Sequence, residues 1–249
     1  MNELSVEYRK QRHLFVWLIP LAFLAVLFLW GGAGQRNLSD YDLAQGYSYL
    51  LYQIPVLNCI FMPIMLAVIS SRICDMEVKG QTLKLLFTLQ NKGTFYDRKY
   101  LTEFLYLLLF CAGELVMLLL YGVIYGYTEP IPAMLFLQHL AVTLLAGSAV
   151  LTLQHILSLL SVNQIIPLLT GLAGSFLGLF SEFFPPALAR LVLWGYFGAF
   201  IPYNIEWNET EREVLLIPRA FPTGLFAGFC AFVILFYLLC RHIFLRKEL

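Results

Sequence analysis

The sequence predicts an all-α membrane protein, a polytopic helix bundle with six transmembrane helices and a re-entrant or interfacial extracellular helix before the last span. Hydrophobic residues make up 60% of the 249 residues and charged residues only 13%, whereas soluble domains have about 45–50% and about 25%. The mean hydropathy of +0.75 makes lipid the natural solvent for this much apolar surface. Sixteen basic and sixteen acidic residues give no net charge, which disfavours a nucleic-acid-binding protein.

Six apolar runs qualify as helices that cross the roughly 30 Å of hydrocarbon in a bilayer. These runs cover residues 14–30, 49–71, 100–125, 133–160, 165–180 and 221–240. The first run follows several basic residues and ends without a small-x-small cleavage site, so we expect a retained span rather than a signal peptide. The loops between the runs are too short for an independent soluble domain, so residues 1–249 are predicted to form one membrane domain.

The distribution of Lys and Arg predicts which side of the membrane each loop faces, because cytoplasmic loops are enriched in these residues. With six spans, twelve of the sixteen basic residues lie on the side that holds both termini and the loop 72–99. The opposite side carries Arg36, Arg190, Arg212 and Arg219. Both termini are therefore predicted to be cytoplasmic.

The apolar stretch 187–201 is predicted not to cross the membrane. It has only 15 residues and carries Arg190, and a seventh span would move the basic C-terminal tail outside. We predict instead a re-entrant or interfacial helix within an extracellular segment, 182–218, with Trp194 and Tyr196 near the lipid headgroups. The candidate residues for an extracellular gate are Trp194, Tyr196 and Phe197.

Acidic residues leave two questions open. Glu114 lies near the middle of the third span, where an ionised carboxylate costs at least about 2.5 kcal/mol, so it must face protein or water. It is either a substrate or proton contact in a translocation path or a protonated carboxyl that is hydrogen-bonded within the bundle. Glu103, eleven residues earlier, lies within about 20° of the same helix face.

The Glu-rich stretch 204–219 either attracts cationic peptides or is a solvated loop.

The sequence offers no catalytic, cofactor or metal site. It has no Gly-Lys dipeptide and hence no Walker A lysine, so this chain cannot be an ATPase. His139 and His155, sixteen residues apart in one span, lie about 160° apart around a helix and cannot share a metal. Ser175, in a run of small residues, faintly resembles the serine of an intramembrane protease, but small residues in a span more often allow helices to approach closely.

The cytoplasmic loop 72–99 has a helical period in its first half. Met76, Leu83 and Phe87 fall within about 40° of one another around a helix, which predicts an amphipathic helix. Such a helix either lies at the membrane surface, in contact with anionic lipids, or docks on a partner protein.

This loop resembles the one in the permease subunits of type-2 ABC exporters, whose second and third spans are joined by a stretch of the form E…G-T…L-L…P…K. The matching residues are Glu77, Thr82, Leu85, Leu86 and Lys99. Segment 7–12, with the sequence Glu-Tyr-Arg-Lys-Gln-Arg, also resembles the E-x-x-K-x-R stretch that leads into the first helix of these permeases. The loop departs from the pattern at Gln81, where the family has glycine, and near Gln90, where it has proline.

The resemblance implies a permease subunit without a cofactor of its own, whose work comes from a separate ATP-binding cassette subunit, in two copies, that binds ATP and Mg. A second permease, identical or homologous, completes such exporters. In this family the loop helix sits in a cleft of the ATPase, which implies that Leu83, Leu86 and Phe87 are anchors.

The length and an aromatic fraction of 16% look most similar to the small permeases of bacteriocin-immunity transporters, which protect bacterial cells against lantibiotics or bacitracin. A peptide or lipid-like substrate and a location in the bacterial cell membrane are implied. The alternatives are an exporter of lipid-like or drug substrates, a membrane-embedded enzyme, and a non-transporting receptor or scaffold.

Overall fold

A computed structural model of the protein describes residues 15–35, 38–79, 87–88, 90–208 and 213–247. Its main elements are long apolar helices, and a group of short turns and a β-hairpin precede the last helix. In chain order the elements are α1 (Leu18–Ala33), α2 (Asp40–Leu43), α3 (Gly46–Lys79), α4 (Lys92–Tyr125), α5 (Ala133–Leu160), α6 (Ile165–Ser181), α7 (Pro186–Ala189), a 3-10 turn (Leu193–Gly195), α8 (Tyr196–Ala199), β1 (Tyr203–Asn208), β2 (Glu213–Pro218) and α9 (Thr223–Arg246).

Four of these helices, α3, α4, α5 and α9, are long and apolar enough to cross a membrane. Helices α1 and α6 have 16 and 17 residues, which corresponds to about 24–26 Å and is slightly less than the roughly 30 Å of hydrocarbon. They coincide with the first and fifth predicted spans. The helical membrane bundle is therefore confirmed, whereas the count of six crossings stays a prediction.

The loop between α3 and α4 is shorter than the predicted 72–99. Helix α3 continues to Lys79 and α4 already begins at Lys92. The start of α4 is fixed by Asn91, whose side chain accepts a hydrogen bond of 2.7 Å from the backbone N–H of Gly93. The first residues of the predicted amphipathic helix therefore belong to α3. Residues 80–86 and 89 lie outside the described residues, and with them Thr82, Leu83, Leu85 and Leu86.

Helix α3 is the centre of the bundle and packs against α1, α4, α5 and α6. Small residues allow this packing, as the sequence predicted for the run around Ser175. A Cβ atom added at Gly171 of α6 would lie 2.5 Å from Cβ of Ala67 and 2.8 Å from the carbonyl oxygen of Pro63, both on α3. Glycine at this position therefore lets the backbones of α3 and α6 approach closely.

The segment between α6 and α9 differs from the prediction. A single helix over 187–201 is wrong: the structure has α7, the 3-10 turn and α8 in its place. The ring of Trp194 packs against Gly174 of α6, where an added Cβ would come within 2.4 Å of the indole, and its position near the headgroups stays a prediction. This close packing turns the segment back towards the bundle.

An antiparallel β-hairpin follows α8, and the all-α prediction did not include it. Strands β1 and β2 pair in a register that places Tyr203 opposite Pro218 and Asn208 opposite Glu213. Residues that favour strands, such as Ile205, Trp207 and Val214, occupy this stretch. The hairpin is tied to α3 because the hydroxyl of Ser48 donates a hydrogen bond of 2.9 Å to the hydroxyl of Tyr203.

Gly171→Ala should destabilise the protein by about 1–3 kcal/mol, because the new methyl group meets backbone that cannot rotate away. The matched control is Gly228→Ala in α9, where an added Cβ would have no atom within 4 Å. Thermal unfolding of both purified variants in detergent measures the difference. Equal melting temperatures for the two variants would contradict the close packing of α3 and α6.

Candidate functional site

Three groups of buried polar residues lie along the shared interface of α3, α4 and α5. We call them the Glu114 cluster (Asn58, Glu114, His139), the Glu103 cluster (Ser70, Cys74, Glu103, His155) and the Glu77–Lys99 pair. Each of these residues is at most 7% exposed. Polar side chains in an apolar bundle are costly unless they pair with one another, so these groups are the candidate functional features of the interior.

In the Glu114 cluster, the side-chain amide of Asn58 donates a hydrogen bond of 2.8 Å to Oε1 of Glu114. Nε2 of His139 lies 3.6 Å from Oε2 of the same carboxyl group. Among the described residues neither of these two atoms has a hydrogen-bond partner. Glu114 therefore faces protein, as predicted, and its geometry is that of a carboxyl group partly hydrogen-bonded within the bundle.

A small cavity lies next to the Glu114 cluster. Its volume is about 10 Å³, and its lining includes His139 from α5 and Phe197 and Phe200 from the segment around α8. This volume is at the lower limit of what a water molecule needs. Phe197, a predicted gate residue, is 1% exposed and lines this cavity together with His139. A gating role for it stays a prediction.

The other two predicted gate residues hold the same segment in place. Trp194 packs on α6, as described above, and the ring of Tyr196 stacks on Phe229 of α9 with 3.8 Å between ring centroids. The hydroxyl of Tyr196 donates a hydrogen bond of 3.0 Å to the carbonyl oxygen of Arg190. The segment thus bridges α6 and α9.

In the Glu103 cluster, three side chains converge on one carboxyl group. Ser70 donates a hydrogen bond of 2.7 Å to Oε2 of Glu103. Sγ of Cys74 lies 3.5 Å, and Nδ1 of His155 lies 2.9 Å, from Oε1. Both oxygens of Glu103 therefore have partners on α3 or α5, and its carboxyl group connects three helices.

The two histidines of α5 serve different carboxyl groups. His139 lies beside Glu114 and His155 beside Glu103, and that they cannot share a metal stays a prediction. The spacing of eleven residues predicts that Glu103 and Glu114 lie on one face of α4, and in the structure both carboxyl groups meet side chains of α3 and α5. The pairing of each carboxyl group with its own histidine was not predicted.

Glu77 and Lys99, the first and last residues of the pattern that resembles the exporter loop, form an ion pair inside the bundle. Their side chains are 6% and 0% exposed. Lys99 also donates a hydrogen bond of 3.1 Å to the carbonyl oxygen of Ile73. The pair joins the end of α3 to the first turns of α4, so it fixes the two ends from which the loop emerges.

Phe87, near the end of the loop, packs in an aromatic cluster. Its ring centroid lies 5.4 Å from that of Phe95 in α4 and 6.1 Å from that of Phe244 in α9. This contact attaches the end of the loop to two helices. Whether Phe87 also contacts an ATPase stays a prediction.

A surface contact between α4 and α9 was missed by the sequence analysis. The guanidinium of Arg241 donates two hydrogen bonds, of 2.7 and 2.9 Å, to Asp97, and the hydroxyl of Tyr237 donates a third of 2.7 Å. Arg241 stands 144 residues after Asp97, and no local pattern connects them. The contact holds α9 beside the aromatic cluster that contains Phe87.

The geometry around Ser175 does not support a protease. Its hydroxyl donates to the carbonyl oxygens of Ile60, at 2.7 Å, and of Gly171, at 3.1 Å. Within the described part of the chain no histidine contacts this hydroxyl, which a serine nucleophile requires for activation. Ser175 therefore acts as a packing residue between α6 and α3.

Residues 4–178, more than half of the chain, match a family described as ABC-2 family transporter protein. The matched range contains the Glu114 cluster, the Glu103 cluster and the Glu77–Lys99 pair. A search among curated proteins finds no match.

Lys99→Met should destabilise the protein by about 3–5 kcal/mol, because it leaves the carboxylate of Glu77 buried without its cation. Arg241→Met is the matched control, because the side chains of Arg241 and its partner Asp97 are 34% and 42% exposed. Exposed ion pairs contribute only about 0–1 kcal/mol to stability. Denaturant titration in detergent micelles compares the two variants. The double variant Glu77→Gln with Lys99→Met should recover much of the loss, and a loss as small as that of Arg241→Met would refute the buried pair.

Proposed function

Because the chain belongs to the ABC-2 family of transporter proteins, we propose that it is the membrane-spanning permease subunit of an ATP-driven exporter. The family match over residues 4–178 is the observation that carries this proposal. The sequence lacks a Walker A lysine, so a separate ATP-binding cassette subunit, in two copies, supplies ATP hydrolysis. A second permease, identical or homologous, completes the transporter.

The proposed contact with the ATPase is the cytoplasmic loop, with Leu83, Leu86 and Phe87 as anchors. Two features of the described residues support it. The Glu77–Lys99 pair fixes the helices on both sides of the loop, and Phe87 is packed against Phe95 and Phe244. A force applied to the loop would therefore move α3 and α4 as rigid helices, which is how a permease without a nucleotide site can receive work.

The proposed translocation path runs along the interface that contains Glu114 and Glu103. Support comes from the Glu114 cluster, because His139 and Glu114 each leave one polar atom unpartnered among the described residues. Phe197 lines the cavity beside His139, which is our reason for proposing Phe197, with Trp194 and Tyr196, as part of an extracellular gate.

The proposed substrate is an amphipathic antimicrobial peptide such as a lantibiotic, exported for self-immunity or resistance. The resemblance to small bacteriocin-immunity permeases supports this choice. Export of lipid-like or drug substrates is the alternative. The hairpin displays Glu206 as an exposed acidic side chain, which suits a cationic peptide on the outer side.

Leu86→Asp tests the proposal, because it introduces an unpaired charge into the proposed contact with the ATPase. This charge should weaken the association of the two subunits by about 3–5 kcal/mol. The variant should therefore lose the co-purifying ATP-binding subunit and substrate-stimulated ATP hydrolysis, while the permease still inserts into the membrane. A lantibiotic, and not lipid-like or drug compounds, should stimulate hydrolysis by the unaltered complex.

Lys84→Glu is the control for this experiment. An exposed ionic contact contributes only about 0–1 kcal/mol, so this variant should keep the complex largely intact. If Leu86→Asp retained its ATP-binding subunit and transported normally, the assignment of the loop would be refuted. A change in protein level or lipid association alone would instead indicate a helix on the membrane surface.

The proposed topology has six spans with both termini cytoplasmic. Cysteines introduced as Asn208→Cys and Lys247→Cys, in a variant without the five native cysteines, should react differently with a membrane-impermeant thiol reagent. In intact cells position 208 should be labelled and position 247 protected, because the basic loops and tails stay inside. Labelling of position 247 before permeabilisation would show an odd number of crossings.

A further inference from the structure

The Glu103 cluster brings three metal-binding groups to one point between three helices. Cys74 comes from α3, Glu103 from α4 and His155 from α5, and one ligand atom of each lies within 4.8 Å of the other two. All three residues are 0% exposed. Because the ligands come from separate helices, only the folded bundle assembles this set.

We propose that the Glu103 cluster is a zinc site with Cys74, Glu103 and His155 as its ligands. Thiolate sulfur, imidazole nitrogen and carboxylate oxygen are the three donors that Zn²⁺ uses in proteins, whereas Ca²⁺ and Mg²⁺ prefer oxygen donors alone. Three protein ligands leave one coordination position for water or another small ligand, as in zinc sites that are not purely structural.

Two of the three separations between ligand atoms are close to those that a tetrahedral zinc ion requires. Typical zinc–ligand bond lengths place a sulfur and an oxygen ligand about 3.6 Å apart and a nitrogen and an oxygen ligand about 3.4 Å apart. In the structure, Sγ of Cys74 lies 3.5 Å and Nδ1 of His155 lies 2.9 Å from Oε1 of Glu103. Binding of the ion therefore requires Nδ1 and Oε1 to separate by roughly half an ångström, while Sγ and Nδ1 lie within 4.8 Å of each other.

The charge balance suits a buried site. A zinc ion bound to one thiolate, one carboxylate and one neutral imidazole has no net charge, which avoids an uncompensated charge in the apolar interior. If the cluster is neutral before the zinc ion binds, binding releases two protons. One comes from the thiol of Cys74, and the other is the proton in the hydrogen bond between Glu103 and His155. The imidazole then coordinates through Nδ1 and keeps its remaining proton on Nε2.

Ser70 is the supporting residue of the site. It stands one helical turn before Cys74 and donates a hydrogen bond of 2.7 Å to Oε2 of Glu103, the oxygen that the other two side chains leave free. A hydrogen bond of this kind orients a ligating carboxylate. Lys99, one turn before Glu103 on α4, is paired with Glu77, so the nearest cation is already neutralised.

Zinc binding by the untagged, full-length protein in detergent tests the site. After dialysis against Zn²⁺, elemental analysis should find one ion per chain. Cys74→Ser should weaken zinc binding at least about 100-fold. The hydroxyl of the introduced serine can still donate a hydrogen bond to Glu103, so the fold should be kept. Cys59→Ser is the matched control, because Cys59 lies on the same helix, is equally buried and stands outside the cluster; its zinc binding should not change.

Cobalt substitution adds a readout that surface binding does not affect. Co²⁺ should produce a thiolate-to-metal charge-transfer band in the unaltered protein and in Cys59→Ser, and no such band in Cys74→Ser or His155→Gln. If the unaltered protein binds no zinc, or if Cys74→Ser binds it equally well, the cluster is a hydrogen-bonded network only and the proposal is wrong. The ATP-binding subunit is not needed for this test, so its outcome is independent of the proposed transport function.

Discussion

The carboxyl group of Glu103 is the constraint on which the bundle interior depends. A carboxyl group in an apolar interior must find partners, and Glu103 finds them on two neighbouring helices, in Ser70 on α3 and His155 on α5. These contacts fix the rotation of all three helices about their axes. Glu114 repeats the arrangement eleven residues later with Asn58 and His139, so two polar layers set the register of one interface.

The end of the bundle that carries the loop between α3 and α4 is held together by the same need for pairing. Lys99 lies one turn before Glu103, and its ammonium group is buried, so it requires the carboxylate of Glu77. That pair draws the end of α3 onto α4 and determines where the loop can leave the bundle. The bidentate contact of Arg241 with Asp97 then adds α9, so the loop emerges from a joined set of helices.

The chain belongs to the ABC-2 family of transporter proteins, so the joined helices of this bundle are those of a transport protein. A transport subunit must change shape in a coordinated way, and rigid helices joined by buried polar contacts can transmit such a movement. The Glu77–Lys99 pair lies at the end of that connection next to the loop between α3 and α4, and the Glu114 cluster lies deeper in the bundle. The segment with Trp194, Tyr196 and Phe197 packs against α6 and α9 at the far end of the bundle.

The sequence by itself determined the apolar helices, because a span is recognised from local composition and length: the predicted span 133–160 coincides with α5. It also indicated that Glu103 and Glu114 share a helix face and that the small residues around Ser175 serve helix packing. Only the tertiary structure decided the partners, since His155 and Arg241 lie 52 and 144 residues from the carboxylates they meet. The hairpin and the broken segment before it likewise depend on distant contacts, such as Ser48 with Tyr203, because short segments acquire their conformation from what they pack against rather than from their own periodicity.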